Sequence, residues 1–130
     1  MRGADTDWSR LSAVYDLQLP LERRALERAV DLLAPGPAER ILDLGTGTAA
    51  FLRVLADRVR VPPRHVVGVD RSSGMLHRAR GLPAGWRLVR ADARTLPFPN
   101  GSFDAVSAAY MLHLLDERAL PRVLAEVRRV

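Results

Sequence analysis

The chain has 130 residues, a net charge of +5 at pH 7 and no cysteine. This length predicts a single domain. The absence of cysteine excludes disulfides and thiolate catalysis, and we predict no metal site. No segment reaches the roughly 18 apolar residues of a membrane span, and the first residues lack the apolar core of a signal peptide. We therefore expect a cytoplasmic protein.

All 20 basic residues are arginine, and they are interleaved with 15 acidic residues along the chain. A surface that binds nucleic acid more often carries its basic residues in a clustered stripe. The distribution of charge therefore does not favour a nucleic-acid partner.

Predicted helices and strands alternate along the chain. The first helix, at 21–33, carries apolar residues at helical spacing and stops at Pro35-Gly36-Pro37. Strands are predicted at 41–44, 65–70, 86–91 and 103–109, and helices at 49–59, from Ser72 or Ser73 to about residue 80, and at 117–129. This alternation predicts an α/β fold with a doubly wound parallel sheet. We place a boundary between an N-terminal leader and helix (1–37) and the sheet domain (38–130).

A glycine turn follows the first predicted strand, in the sequence Ile41-Leu-Asp-Leu-Gly-Thr-Gly-Thr-Ala-Ala50. Glycine allows a positive φ and lets a ligand approach the backbone without meeting a Cβ atom. The N-terminus of the following helix offers unpaired N–H donors to negative or polar ligand groups. The segment therefore predicts the first unit of a nucleotide-binding sheet.

Two classes of cofactor fit this turn. Gly45, Gly47 and Ala50 satisfy the dinucleotide pattern that permits alanine at its third position. Asp70 ends the second predicted strand, where a carboxylate can accept both ribose hydroxyls of NAD or of S-adenosylmethionine. A fragment of an NAD-dependent dehydrogenase therefore stays open. Asp43 argues against it, because NAD sites usually carry an apolar residue two positions before the first glycine.

Further motifs separate the two cofactors. Asp92-Ala93 follows the third predicted strand, and 96–106 leads into the fourth. Together with the glycine turn and the segment 67–76, these motifs resemble the class I S-adenosylmethionine-dependent methyltransferases, in particular the small-molecule branch of ubiquinone/menaquinone-type enzymes. The resemblance covers about residues 41–130 and implies a Rossmann-like sheet with strand order 3-2-1-4. It also implies S-adenosylmethionine as the cofactor and direct methyl transfer to a small-molecule acceptor.

The resemblance implies roles around the turn. Asp43 would hold the ammonium group of the cofactor's methionine part by a charge-assisted contact, or would satisfy backbone donors at the strand end. Backbone groups of Gly45, Thr46 and Gly47 would line the methionine and ribose parts. Asp70 would accept hydrogen bonds from the ribose hydroxyls.

The resemblance also implies an adenine site. Arg71 and Met75 would flank the adenine with their apolar stems, although Met75 equally suits the core of a helix. Asp92 would accept from the exocyclic amine, or would stabilise a turn instead. The N–H of Ala93 would donate to a ring nitrogen.

Residues after the fourth predicted strand complete the implied site. Ala109 and Tyr110 would face the ligand, and His113 and Tyr110 are candidates for catalysis; His113 would act as a general base or pack against the final helix. Positions 108–111 lack the Pro-Pro-aromatic motif of exocyclic-amine nucleic-acid methyltransferases, which favours a small-molecule acceptor. In the leader, Tyr15 would be a lid residue or a packed aromatic residue.

The chain departs from the family pattern at two places. Ala49 stands where a third glycine is frequent, and its methyl group could tighten the turn. Val130 ends the chain where the family usually continues with a Pro-Gly-Gly turn and further strands. We therefore expect a C-terminally truncated domain, which is either a fragment of a longer protein or one that self-associates through the exposed edge of its fourth strand. A non-catalytic S-adenosylmethionine-binding module is the alternative function.

Overall fold

The computed structural model describes residues 19–109 and 111–130. These residues form, in chain order, α1 (Leu19–Leu33), β1 (Arg40–Leu44), α2 (Ala50–Arg58), β2 (His65–Asp70), α3 (Ser73–Arg78), β3 (Arg87–Arg90), β4 (Ala105–Ser107) and α4 (Ala119–Arg129), with a short 3-10 helix (Leu112–Leu114) between β4 and α4. None of the helices in this part of the chain combines the length and the apolar character needed to cross a bilayer.

The four strands form one parallel sheet in the order β3-β2-β1-β4, which confirms the predicted fold class and strand order. The central strand β1 places Asp43 opposite Gly68 of β2 and opposite Ser107 of β4. Because parallel strands end at the same edge of a sheet, the loops after β1, β2, β3 and β4 meet there. This edge carries the residues that the resemblance places in the cofactor site.

Helices cover the sheet because β1 is apolar on both of its faces. Ile41 belongs to a cluster with residues of α1 and α2, whereas Leu42 and Leu44 belong to a second cluster that includes Val123 of α4. Leu26 of α1 lies in the first cluster, so this helix shares its core with the sheet. The predicted boundary at residue 37 stays a prediction.

Several predicted elements are one or more residues shorter in the structure, and hydrogen bonds mark the changed starts of two of them. β4 covers 105–107 rather than 103–109, because the Phe103 N–H donates to the carbonyl of Val130 instead of entering the sheet. The last helix begins at Ala119 rather than at residue 117; before it, Asp116 Oδ1 accepts from the N–H groups of Arg118 (3.0 Å) and Ala119 (2.7 Å) and holds these residues in a turn.

An ion pair in α4 fixes the loop that follows Asp92. Arg129 bonds the Glu126 carboxylate (Nε to Oε1 2.7 Å) and donates to the carbonyls of Leu96 (3.0 Å) and Phe98 (2.7 Å). Glu126 Oε2 also accepts from the Leu96 N–H at 2.7 Å. The Arg129 guanidinium lowers the pKa of Glu126 to about 2, so this contact persists through the neutral range. The loop is thereby held against the final helix.

Candidate functional site

The glycine turn after β1 has the backbone that its sequence predicts. Gly45 has a φ of 64° and Gly47 a φ of 58°, both in the left-handed region that glycine adopts readily. The turn is tied to β2 at two points: the Thr46 N–H donates to the Val69 carbonyl (2.9 Å), and the Gly47 N–H donates to Asp70 Oδ2 (2.9 Å). The end of β2 therefore sets the shape of the turn.

The two glycines differ in the space beside them. A Cβ atom on Gly45 would lie 2.6 Å from Cβ of Met111, so the protein itself fills that space. Among the described residues, a Cβ atom on Gly47 would meet nothing closer than the Gly45 carbonyl oxygen at 4.0 Å. Within the described residues the space for an added atom is therefore at Gly47, which is itself buried, and not at the exposed Gly45.

Ala49, which stands where the family frequently has a third glycine, has a strained backbone conformation. Ala49 has a φ of 67° and is fully buried. A left-handed conformation costs a residue with a Cβ atom about 1–2 kcal/mol. The backbone at position 49 thus keeps the left-handed conformation typical of glycine, although the residue is alanine.

We expect Ala49→Val to lower the free energy of unfolding by about 2–4 kcal/mol, because a buried β-branched side chain cannot adopt a positive φ without strain. Denaturant unfolding measures this loss. Ala50→Val is the matched control: Ala50 is half-buried at the start of α2, and the change should cost less than about 1 kcal/mol. Equal losses in the two variants would contradict the assigned strain.

Asp43 is a buried carboxyl group at the sheet edge. Its residue is only 2% exposed, and Ser107 Oγ donates to its Oδ1 at 2.7 Å. Burial raises the pKa of Asp43 to about 6; the hydroxyls of Ser107 and Thr46 oppose this shift, and the negative charge of Asp70 adds to it. Asp43 is therefore costly to ionise in the absence of a cation, yet it is ionised at neutral pH.

A second hydroxyl lies beside Asp43. Thr46 Oγ1 lies near enough to lower the pKa of that carboxyl, but it is buried and reaches hydrogen-bonding geometry with no described residue. Gly68 provides the room, since a Cβ atom there would lie 2.8 Å from Thr46 Oγ1. Buried hydroxyls are normally paired, so an unpaired one next to a carboxylate is suited to a polar ligand group.

Asp70 braces the site and can still accept further hydrogen bonds. Its Oδ2 accepts from the Gly47 N–H at 2.9 Å, and its Oδ1 accepts from the Ser72 N–H at 2.8 Å. Each carboxylate oxygen has capacity for a second bond. The structural role and the predicted ribose contact are therefore compatible.

The residues predicted to contact the adenine differ in their burial and in their hydrogen-bond partners. Asp92 is paired with Arg94 (Oδ2 to Nη2 2.6 Å), which lowers the pKa of Asp92, and an adenine amine would have to share this carboxylate with Arg94. Ala93 is buried, and its N–H makes no hydrogen bond to another described residue. Met75 is buried in α3, whereas Arg71 is exposed at the end of β2. Their ligand contacts stay predictions.

The candidates near the end of β4 are placed only in part. Ala109 and His113 are both exposed, and His113 lies in the 3-10 helix, with no hydrogen bond to another described residue. Tyr110 and Tyr15 lie outside the described residues. A catalytic role for His113 or Tyr110 stays a prediction.

Two residues that contact the turn region were not predicted. Ser107 bonds to Asp43, and Met111 covers Gly45. The predicted strand order places the fourth strand beside the first, which indicates that a residue near Ser107 lies close to the first strand. No local pattern signals the register that places it directly opposite Asp43.

The sequence matches known methyltransferases over most of its length. A methyltransferase domain family matches residues 41–130. The demethylmenaquinone methyltransferase of Thermus thermophilus is 40% identical over 114 residues, which cover 79% of this chain and 50% of that protein. The malonyl-[acyl-carrier protein] O-methyltransferase of Legionella pneumophila is 38% identical over 128 residues, which cover 95% of this chain and 42% of that protein.

A solved methyltransferase structure is also similar to this chain. The S-adenosylmethionine dependent methyltransferase from Mesorhizobium loti matches with a TM-score of 0.60 and 32% identity, over 77% of this chain and 46% of that one. The chain spans about half the length of the curated relatives it matches. These matches leave no support for the NAD-dependent alternative. Because the family match covers more than half of its residues, the chain belongs to the class I S-adenosylmethionine-dependent methyltransferases.

Proposed function

We propose that this chain forms the cofactor-binding half of a methyltransferase that acts on a small-molecule acceptor. The observation that carries the proposal is the pair of carboxylates, Asp43 and Asp70, beside the glycine turn at the carboxyl edge of the sheet. The two named relatives act on a demethylmenaquinone and on a malonyl group carried by a protein. Their acceptors support a small organic acceptor as the class, without selecting one.

The residues present fit S-adenosylmethionine. The buried carboxyl of Asp43 has no arginine partner among the described residues and so suits an ammonium group. Thr46 Oγ1 beside it has no hydrogen-bond partner among the described residues, and no described residue would crowd a Cβ atom at Gly47. Asp70 retains acceptor capacity for ribose hydroxyls. We assign these four residues to the cofactor, with Gly45, Arg71, Met75, Asp92, Ala93, Ala109 and Tyr15 as further predicted contacts.

When bound, S-adenosylmethionine supplies an activated methyl group for direct transfer. The part of the chain assigned above would position the cofactor, and catalysis by positioning in a water-poor site suits a reaction of this kind. Asp43 and Thr46 would anchor one end and Asp70 the other. A base is needed only for an acceptor that must lose a proton, a role for which His113 and Tyr110 remain candidates.

Calorimetry with S-adenosylmethionine and S-adenosylhomocysteine tests cofactor binding. Transfer of a labelled methyl group to a demethylmenaquinone and to a malonyl thioester then tests turnover. Binding with transfer supports an enzyme, and binding without transfer to any acceptor supports the alternative of a non-catalytic binding module. Absence of binding by the unmodified chain would remove the proposal.

Asp70→Ala should weaken the binding of S-adenosylhomocysteine by roughly 1.5–3 kcal/mol, the range for hydrogen bonds to a charged group. Part of this loss would come from the turn, because the Gly47 N–H also loses its acceptor. Titration calorimetry measures it. Asp57→Ala, which removes an exposed carboxylate from α2, is the control and should bind as the unmodified chain does. Unchanged affinity of Asp70→Ala would remove Asp70 from the site.

Self-association through β4 and a cytoplasmic location remain predictions. In the described part of the chain, β4 is short and forms one edge of the sheet, and an exposed edge offers unpaired backbone groups to another strand. A concentration-independent monomer in analytical ultracentrifugation would contradict self-association.

A further inference from the structure

We propose that Ser107 is a positioning residue of the cofactor site, acting through Asp43. Its hydroxyl fixes Oδ1 of that carboxylate, favours the ionised form by donating to it, and leaves Oδ2 for the cationic group of the ligand. This inference rests on the proposed function and deepens it, because it names what prepares the anionic end of the site.

The geometry of two neighbouring strands carries the assignment. Asp43 of β1 and Ser107 of β4 are direct partners in the parallel register, and the hydroxyl donates to Oδ1 at 2.7 Å. Both residues lie on strands, so their separation is fixed by backbone pairing and not by a loop. Such a contact holds the carboxylate in one orientation before any ligand arrives.

Among the described residues, no positively charged group compensates the charge of Asp43. The groups that face it are Ser107 from β4, Thr46 from the turn and the carboxylate of Asp70 from the end of β2. Buried charges in proteins are normally paired, and here the neutral hydroxyl of Ser107 is the hydrogen-bond donor to the carboxylate. An ammonium group of a ligand would supply the missing partner.

Removal of the Ser107 hydroxyl should therefore shift the titration of Asp43 to higher pH. Burial and the charge of Asp70 both favour the neutral acid, and the two hydroxyls oppose them. With one hydroxyl gone, Asp43 would stay protonated further into the neutral range. A protonated carboxyl offers no charge to an ammonium group, so the site would become competent only at higher pH.

The first test needs no cofactor. Because the pKa of Asp43 is raised in the folded chain, its contribution to stability is present at low pH and is lost as pH rises from about 4 to about 6. In Ser107→Ala we expect this decline in the urea midpoint to extend to higher pH. Asp43→Asn should remove the decline. Ser102→Ala, which removes a hydroxyl that donates to the Pro99 carbonyl, is the matched control and should leave it unchanged.

The second test is the pH profile of affinity for S-adenosylhomocysteine. Ser107→Ala should lose affinity several-fold near pH 6.5 and recover most of it near pH 8, whereas Ser107→Thr, which keeps a hydroxyl, should retain the original profile. A loss that is equal at every pH, or no loss, would overturn the positioning role while leaving the proposed function standing. No binding by the unmodified chain at any pH would overturn the proposed function, and the urea profiles would still decide whether Ser107 controls Asp43.

Discussion

Asp43→Asn is expected to bind S-adenosylhomocysteine roughly 10- to 150-fold more weakly near pH 8 and, at the same pH, to resist denaturant better than the unmodified chain. The loss of affinity follows from the loss of the charge that would hold the ligand's ammonium group. The loss corresponds to about 1.5–3 kcal/mol, the usual value of a hydrogen bond to a charged group. Calorimetry and urea unfolding on the same preparation measure the two effects.

The gain in stability has a separate cause. Burial raises the pKa of Asp43 from 3.8 to about 6, so ionisation of this group opposes folding above that pH. A shift of this size corresponds to about 2–3 kcal/mol. An asparagine carries no charge and can still accept a hydrogen bond from Ser107, so the variant should recover much of this energy. A substitution that raises the free energy of unfolding while it removes a ligand-binding group is typical of a functional residue.

The pH dependence of affinity provides an independent check on the same group. If only the ionised form of Asp43 binds an ammonium group, affinity should rise about 10-fold between roughly pH 5 and pH 7 and then level off. Asp43→Asn should bind weakly with a flat profile. Asp57→Asn, on the exposed side of α2, should retain the rise. A rise that persists in Asp43→Asn would assign the titration to another group.

Local sequence pattern was sufficient for the elements and for the first half of the site. The glycine turn needs only a few adjacent residues, and its positive φ angles follow from the residue type. Asp70 was placed at a strand end, and its contact with the Gly47 N–H arises because parallel strands β1 and β2 end side by side. These features depend on short-range chemistry and on one strand pairing.

The remaining features depend on register and packing, which a single sequence does not state. Ser107 reaches Asp43 because β4 pairs with β1 in one register out of several. Met111 covers Gly45 because the chain folds back after β4, so this glycine is explained by a side chain more than 60 residues away and not by a ligand alone. Asp92 is held by Arg94, two residues on, which a closer consideration of neighbouring charges could have anticipated.

Gly45→Ala is expected mainly to lower stability and Gly47→Ala mainly to lower cofactor affinity, although both replace a glycine of the same turn. A Cβ atom on Gly45 would lie 2.6 Å from Met111 Cβ and 2.7 Å from its Cγ. Because Met111 Cβ is fixed to the backbone, the segment after β4 would have to move, and we expect a loss of about 2–4 kcal/mol in the free energy of unfolding. At Gly47 no described residue would crowd the added Cβ atom, so the loss should be near the 1–2 kcal/mol of a left-handed alanine.

Affinity should rank the two variants in the reverse order once stability is taken into account. The methyl group of Gly47→Ala enters the part of the turn where we place the cofactor, so binding of S-adenosylhomocysteine should fall by about 10-fold or more in a chain that remains folded. In Gly45→Ala, the additional change Met111→Gly removes the opposing Cβ atom and should recover part of the lost stability. A double-mutant cycle measures this coupling. If Met111→Gly gave no recovery, contact with Met111 would not be the reason for glycine at position 45, and a ligand would take its place as the cause.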